Sequence, residues 1–423
     1  MKNSTSDLIL IAIDVAKAKH DILIEFTDGR RKALVIRNNR EDFDYLVNEL
    51  KKIKETCLIG FEPTADYHRP IAYFLQKSGF KVCLLSSIAV ARTREALNNS
   101  WDKNDSKDAQ VMIHLMKNQV ISVFHDPMIN DINDLQELSN THFQVSRQKT
   151  KLQHSIINHY LAIYFPEAEK FFCSSRATWF GQLLIHYPSP AIIKQMTEDE
   201  FIKQAAPLLS SKQNKGGLLS DFYKTAVSSI GVPFDAQSDT ASMFRVILNQ
   251  HYSLCKKRDE LEDMAHKKLK NNRSYQILRS VPGIGPIIAL TVLAEAGDLK
   301  RFKNVNQFLS FCGLNLCTHQ SGTYRSSSAI SKRGNARLRS ALWIASTVAI
   351  KLRENTFREK FNRCVKTDPN NKDLKRKAYT AVTIKLARVL YFLIKNDTIY
   401  RPYFDGSILS GRTCSDRAVE AAC

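Results

Sequence analysis

Two short apolar runs, each ended by a carboxylate, constrain this 423-residue chain more than anything else in it. Leu8-Ile9-Leu10-Ile11-Ala12-Ile13 stops at Asp14, and Cys57-Leu58-Ile59-Gly60-Phe61 stops at Glu62. Runs of this length and composition read as buried strands. A charge at the end of a buried strand is costly unless something cationic satisfies it. Two more acids, Asp105 and Asp108, stand three apart at the start of a helix expected to continue through Val111, Met112, Leu115 and Met116. That spacing puts both carboxylates on one helix face. Acids at a helix start also arise simply from the macrodipole, so this pair acquires meaning only beside Asp14 and Glu62. Together the four could hold two divalent ions about 4 Å apart, an arrangement that cuts phosphodiesters. Asp21, Asp66 and Asp102 read as surface or capping acids.

The surrounding periodicity predicts strands over Leu8–Ile13, Asp21–Phe26, Lys32–Arg37, Cys57–Phe61 and Lys81–Leu85, with helices over Asn39–Lys54 and Tyr67–Ser78. The order βββαβαβα, with acids after the first and fourth strands, matches a ribonuclease-H-like core. There those two strands are neighbours, so Asp14 and Glu62 would converge. Residues 1–125 are taken as this domain. Residues 126–274 follow as a helical arm and insertion, with long helices over 132–165 and 240–275 and a less readable stretch over 166–239. The two long helices suit an antiparallel arm, an interchain coiled coil or simple bundle packing. Residues 275–396 form a basic helical domain, and 397–423 a loose tail. The fold class is therefore α/β plus all-α.

Sixty-two Lys and Arg against forty-two Asp and Glu leave a net charge of +20. Such an excess favours a polyanionic partner, nucleic acid before an anionic membrane. The nine cysteines are scattered, and only Cys312 and Cys317 are close, without a second pair at zinc-finger distance. They read as core residues of a reducing compartment. The interrupted N-terminal run is not a signal peptide, and no apolar stretch approaches the ~20 residues of a membrane span. A cytoplasmic, nucleoid-associated protein is expected.

Two further segments bear on chemistry. Val281-Pro282-Gly283-Ile284-Gly285-Pro286 lies between two predicted helices, and resembles a helix-hairpin-helix turn whose Gly283 and Gly285 leave backbone N–H groups for a DNA phosphate. An ordinary αα-turn reads the same way. Ser321, in the glycine-bearing loop 313–322, precedes the run Ser331-Lys332-Arg333-Gly334-Asn335-Ala336-Arg337-Leu338-Arg339. A hydroxyl beside dense positive charge suits attack on a phosphodiester, with Lys332, Arg333, Arg337 and Arg339 holding phosphates.

Five segments in this order carry a resemblance: Ile13-Asp14-Val15-Ala16-Lys17, Phe61-Glu62-Pro63-Thr64, Asp105-Ser106-Lys107-Asp108-Ala109, the Val281–Pro286 turn and Ile330-Ser331-Lys332-Arg333-Gly334-Asn335. Together they resemble the DEDD-type insertion-sequence transposases, the IS-one-ten family, which includes pilin-gene inverting recombinases. The resemblance covers roughly 8–165 and 270–395. It implies a RuvC-like domain binding Mg2+, as a two-metal site, through Asp14, Glu62, Asp105 and Asp108. It also implies a C-terminal domain whose Ser321 becomes covalently linked to the cut strand. Further implied are donor and target DNA, a structured non-coding guide (bridge) RNA, and a homo-oligomer, dimer or tetramer, sharing active sites between protomers. Asn104, Leu316, Gln320 and Ala329 depart from the family pattern, and Ser326, Ser327 and Ser328 stay open as nucleophiles beside Ser321. A metal-dependent Holliday-junction-type nuclease, a site-specific DNA invertase and a degenerate nucleic-acid-binding protein are the competing readings.

Overall fold

Period-two alternation organises the first of two units, Met1–Asn130 and Asp131–Cys423. The structure, a computed structural model, describes residues 8–53, 55–63, 65–98, 105–123, 133–172, 178–209, 215–318, 320–321, 324–325, 329–352 and 355–401. Unit one holds β1 (Ile9–Val15), β2 (Lys19–Glu25), β3 (Arg31–Arg37), α1 (Arg40–Lys51), β4 (Cys57–Phe61), α2 (His68–Lys77), β5 (Lys81–Leu84), α3 (Ser87–Asn98), α4 (Asp105–Lys117) and β6 (Ser122–Val123). The sheet order is β3-β2-β1-β4-β5-β6. β1, β2 and β3 are antiparallel neighbours, β4 and β5 run parallel to β1, and β6 closes the far edge antiparallel to β5. This mixed α/β sheet is consistent with a ribonuclease-H-like domain.

Odd residues of β1 (Ile9, Ile11, Ile13) and even residues of β2 (Ile22, Ile24) pack under α1 and α2, against Phe43, Leu46, Leu50, Ile71 and Leu75. The opposite face carries Leu10 and Ala12 of β1, Leu23 of β2 and Leu58 of β4, covered by Val90 of α3 and by Ala109, Met112, Leu115 and Met116 of α4. Three details differ from the sequence expectation. β1 runs on to Val15, so Asp14 lies inside the ladder. Strand β6 and helix α3 were not anticipated, because two residues of strand and a weakly patterned helix leave no periodic signal.

Unit two is helical. Its helices are α5 (Asn133–Ser155), α6 (Ala162–Tyr164), α7 (Thr178–His186), α8 (Pro190–Ile193), α9 (Glu198–Ala205), α10 (Lys215–Val227) and α11 (Asp239–Leu269). They are followed by α12 (Arg273–Ser280), α13 (Pro286–Ala296), α14 (Val305–Cys312), α15 (Ala336–Lys351), α16 (Thr356–Val365) and α17 (Lys372–Lys395). A π-helical turn, Ile156–Leu161, continues α5 into α6. α5 and α11 pair antiparallel within the chain: Asp134 is ion-paired with Lys268 near one end, and Tyr160 stacks on Phe244 at 4.5 Å near the other. At that second end the stretch 166–239, less readable from sequence, contributes short helices packed around Phe165, Phe180, Phe201 and Phe222. At the first end Leu138, Ala265 and Leu269 are buried in one core with Leu278, Leu290, Leu342 and Leu390. The arm therefore continues into the C-terminal helices without a break in packing at 274. Among the described residues no helix is long and apolar enough to cross a membrane. The tail beyond 401 lies outside the described residues.

The middle of the α5–α11 seam buries polar groups. Lys149 faces His251 and Arg258, and His251 lies 3.9 Å from the Cys255 thiol. Burial, with help from the Lys149 and Arg258 charges, pushes the imidazole of His251 down to about 4 from 6.5. Its folded value is the lower one, so the unfolded chain takes the proton first. Stability owed to neutral His251 is complete above about pH 6.5 and is lost as pH falls toward 4. Melting His251→Gln beside wild type at about pH 7.5 and about pH 5 should show a smaller acid-induced drop in the variant.

Gly283 makes the α12–α13 turn possible. Its φ is +85°, and a Cβ there would stand 2.2 Å from the Ala345 carbonyl oxygen of α15. Gly285, the N-cap of α13, has φ −81° and open space around it. Gly283→Ala should therefore lower stability by about 2–4 kcal/mol in chemical denaturation. Gly285→Ala should cost below about 1 kcal/mol.

Candidate active site

Asp14 is the sixth residue of β1 and half-buried. The parallel ladder pairs Ile13 with Phe61, so Glu62, one residue on, lies beside Asp14. Alternation puts both on the sheet face that α4 covers, with Leu10 and Ala12 on one strand and Leu58 and Gly60 on the other. Gly60 lets the helix approach: a Cβ there would meet Met116 Sδ at 2.7 Å.

The direction of α4 follows from its last residue. Lys117 is ion-paired with Glu25, which is the ladder partner of Leu10 at the start of β1. Burial raises the Glu25 carboxyl pKa, but Lys117 and Arg31 outweigh burial and hold it below its ordinary value. Going back from Lys117 to Asp108 covers about 13 Å of helix. Going from Glu25 to Asp21, the partner of Asp14, covers about 13 Å of strand. The two distances are similar, so the N-terminal part of α4, with Asp108, runs toward the end of β1 that carries Asp14. Asp105 is the first residue of the same helix, one turn earlier, and its side chain lies outside the described set.

Asp108 is 2% exposed and ion-paired with Arg94 of α3. Asp21, directly across from Asp14, shares its face and has Lys19 at 3.3 Å. Like charges opposite one another in a ladder are unfavourable without a cation. Asp21 was read from sequence as a surface or capping acid, and Arg94 was not singled out. The signal for Asp21 was available, since it is an acid near the start of a strand antiparallel to β1. Arg94 had none. The donor set is all carboxylate oxygen, which suits a hard ion such as Mg2+. Among the described residues, however, no three acidic, His or Cys side chains are drawn together as ligands. One reason is visible, because Asp108 is turned onto Arg94.

In unit two, β7 (Leu316–Cys317) pairs with β10 (Ala329–Ile330), and β8 (Gln320–Ser321) with β9 (Tyr324–Arg325), both antiparallel. Ser321 therefore lies at the inner end of a nested hairpin, opposite Tyr324, and not in an irregular loop. Its side chain, and Ser326, Ser327 and Ser328, lie outside the described set. The base of the hairpin is sutured by backbone: Ser331 N–H donates to Asn315 O at 2.7 Å and Lys332 N–H to Gly313 O at 3.1 Å.

The basic run after the hairpin divides. Lys332 and Arg333 are exposed. Arg337 pairs with the buried Glu295 at 2.9 Å, donates to Ser139 Oγ at 2.8 Å and to Asn140, and lies 5.0 Å from the Phe143 ring centre. Asn335 holds the other Glu295 oxygen at 2.7 Å. Arg339 donates to the Cys312 carbonyl at 3.1 Å. Arg337 and Arg339 were expected on phosphate, yet their guanidiniums are engaged in holding α15 to α5, α13 and α14. Gly283 is likewise committed to packing against α15.

Comparison with known proteins follows the same two regions. Residues 11–166 match the IS110-type DEDD transposase family model, described as Transposase. Residues 275–362 match the model described as Transposase IS116/IS110/IS902 family. A "Probable family 20 transposase" of Pseudomonas aeruginosa is 31% identical over 150 residues, 34% of this chain and 41% of its own. The "Transposase for insertion sequence element IS1111A" of Coxiella burnetii is 29% identical over 159 residues, 38% of this chain and 42% of its own. The chain thus spans about two fifths of the length of these two relatives. The "Insertion element IS110 uncharacterized 43.6 kDa protein" of Streptomyces coelicolor is 23% identical over 352 residues, 76% of this chain and 78% of its own. Two models of one family match in order, one over the acidic sheet and the other over the turn and hairpin, and so the chain belongs to the IS110 family of DEDD transposases.

Proposed function

We propose that this protein cuts, exchanges and rejoins DNA strands as the transposase of an insertion sequence, guided by a structured RNA. What supports the reading is that Glu62 follows the ladder partner of Ile13 and so adjoins Asp14, on the sheet face covered by the helix that bears Asp105 and Asp108. Mg2+ held by these carboxylates would supply charge stabilisation at the scissile phosphate. Ser321 Oγ attacks phosphorus, an O–P bond forms, and the bond to the leaving strand breaks. The departing oxygen takes up the proton that the hydroxyl gives up. Attack by another strand's hydroxyl reverses the step and releases Ser321, so bond energy is conserved without a nucleotide cofactor. Ser321 belongs to a short strand pair outside the helices, above a base sutured by backbone, which suits a nucleophile that works on another domain's substrate. This suits a dimer or tetramer in which the acids of one protomer meet the serine of its partner. A net charge of +20 suits two polyanions, DNA and guide RNA.

With donor and target DNA and the guide RNA present, Asp14→Asn or Asp108→Asn should slow cleavage on the order of 10²–10³-fold. Ser321→Ala should abolish both joining and the protein–DNA adduct seen on denaturing gels. Joining that survives Ser321→Ala would favour the water-dependent nuclease instead. Lys332→Ala and Arg333→Ala should each weaken DNA binding and lower the salt slope by about one. Arg337→Ala should instead lower the melting temperature, since it leaves Glu295 buried without its cation.

A further inference from the structure

Asp108 has a side chain 3% exposed, and Arg94 one 14% exposed. Burying a carboxylate this far from water is costly unless a positive charge meets it. Here that charge is a guanidinium from the adjoining helix: Arg94 follows Val90 by one turn of α3, and Val90 is packed in the same core as Ala109 and Met112. The contact runs from Arg94 Nε to Asp108 Oδ1. Asp14 and Asp21 oppose one another on the same face, with Glu62 beside them. A guanidinium brings one positive charge to this face, and a divalent ion brings two in a smaller volume.

We infer that Arg94 is a built-in counter-ion that competes with the divalent cation for Asp108. This rests on the reading that Asp14, Glu62, Asp105 and Asp108 hold that cation. In the cation-free protein Arg94 neutralises Asp108 and keeps the start of α4 seated on the sheet. Cation binding draws Asp108 off Arg94, so part of the binding free energy is spent breaking the pair. Arg94 is thus a positioning residue, acting on the site through Asp108 and setting how much Mg2+ is needed to assemble it.

The test follows melting temperature and Mn2+ binding in the full-length protein, in EDTA and across Mg2+ or Mn2+ titrations. Arg94→Gln should melt lower than wild type in EDTA, recover most of that loss with Mg2+, and bind Mn2+ about tenfold more tightly. Arg94→Lys keeps the charge but not the fork, so it should shift the same way by a smaller factor. If Arg94→Gln does not fold in EDTA, this variant carries the measurement. Arg94→Gln/Asp108→Asn should regain stability in EDTA and lose the cation response. An Arg94→Gln protein with unchanged or weaker Mn2+ binding, and the same loss with and without Mg2+, makes the pair an ordinary structural bridge and overturns the inference. A wild type whose cation response is absent, or survives Asp108→Asn, overturns the metal-site reading and the inference with it.

Discussion

The seating of α4 on the sheet is the interaction on which the candidate site depends. Asp14 and Glu62 are brought together by hydrogen bonding between β1 and β4, which needs nothing beyond the strands. The start of α4, with Asp108, is directed toward that end of the sheet because the helix lies close and runs antiparallel to β1. Gly60 allows the close approach, Met112 and Met116 fill the space, and the Lys117–Glu25 pair anchors the far end. Met suits this role, since an unbranched side chain adapts to an irregular gap. Sliding the helix by one turn would displace the acids by about 5 Å, more than a metal–ligand distance tolerates. The site's precision thus comes from apolar packing some distance from the carboxylates.

A second kind of constraint governs the basic unit. Positive charge is abundant, but its two uses exclude one another at any single residue. Arg337 and Arg339 lie at the start of α15, where one turn of helix points them back toward α5, α13 and α14. Their forks satisfy carboxylate, hydroxyl, amide and carbonyl groups, which Lys could not do with the same geometry. Lys332 and Arg333 precede the helix on the loop that closes the hairpin, and remain exposed. An exposed basic surface and the frame that holds it are thereby built from one run of sequence.

Much of this was legible in the residues because it rests on short-range pattern. Five strands, their order and the convergence of Asp14 with Glu62 follow from apolar runs and from a topology with few alternatives. The antiparallel α5–α11 pair follows from length and spacing, although an interchain coil read equally well. What escaped is what depends on packing across elements. Nothing in Arg94 distinguishes it from the exposed Arg92 two residues earlier, because only the helix phase set by Val90 turns it inward. Lysine and arginine density marks contact with anions without saying whether the anion is a phosphate or Glu295. The aromatic core of 156–248 is built from phenylalanines spread over many short helices, so no window of sequence reveals it.

Inward-facing charge links the two units as a design principle. Asp108 and Glu295 are both buried acids, and each is met by an arginine from another helix. Their surroundings differ in one respect. Glu295 is enclosed by Asn335 and Arg337, and Arg337 is further fastened to α5 through Ser139 and Asn140, so its counter-charge is locked in place. Asp108 lies on the helix that covers the sheet face of Asp14 and Glu62, where on the proposed reading a competing cation would have something to bind. The same pairing is therefore structural in one setting and exchangeable in the other. What decides between them is how many other acids share the space.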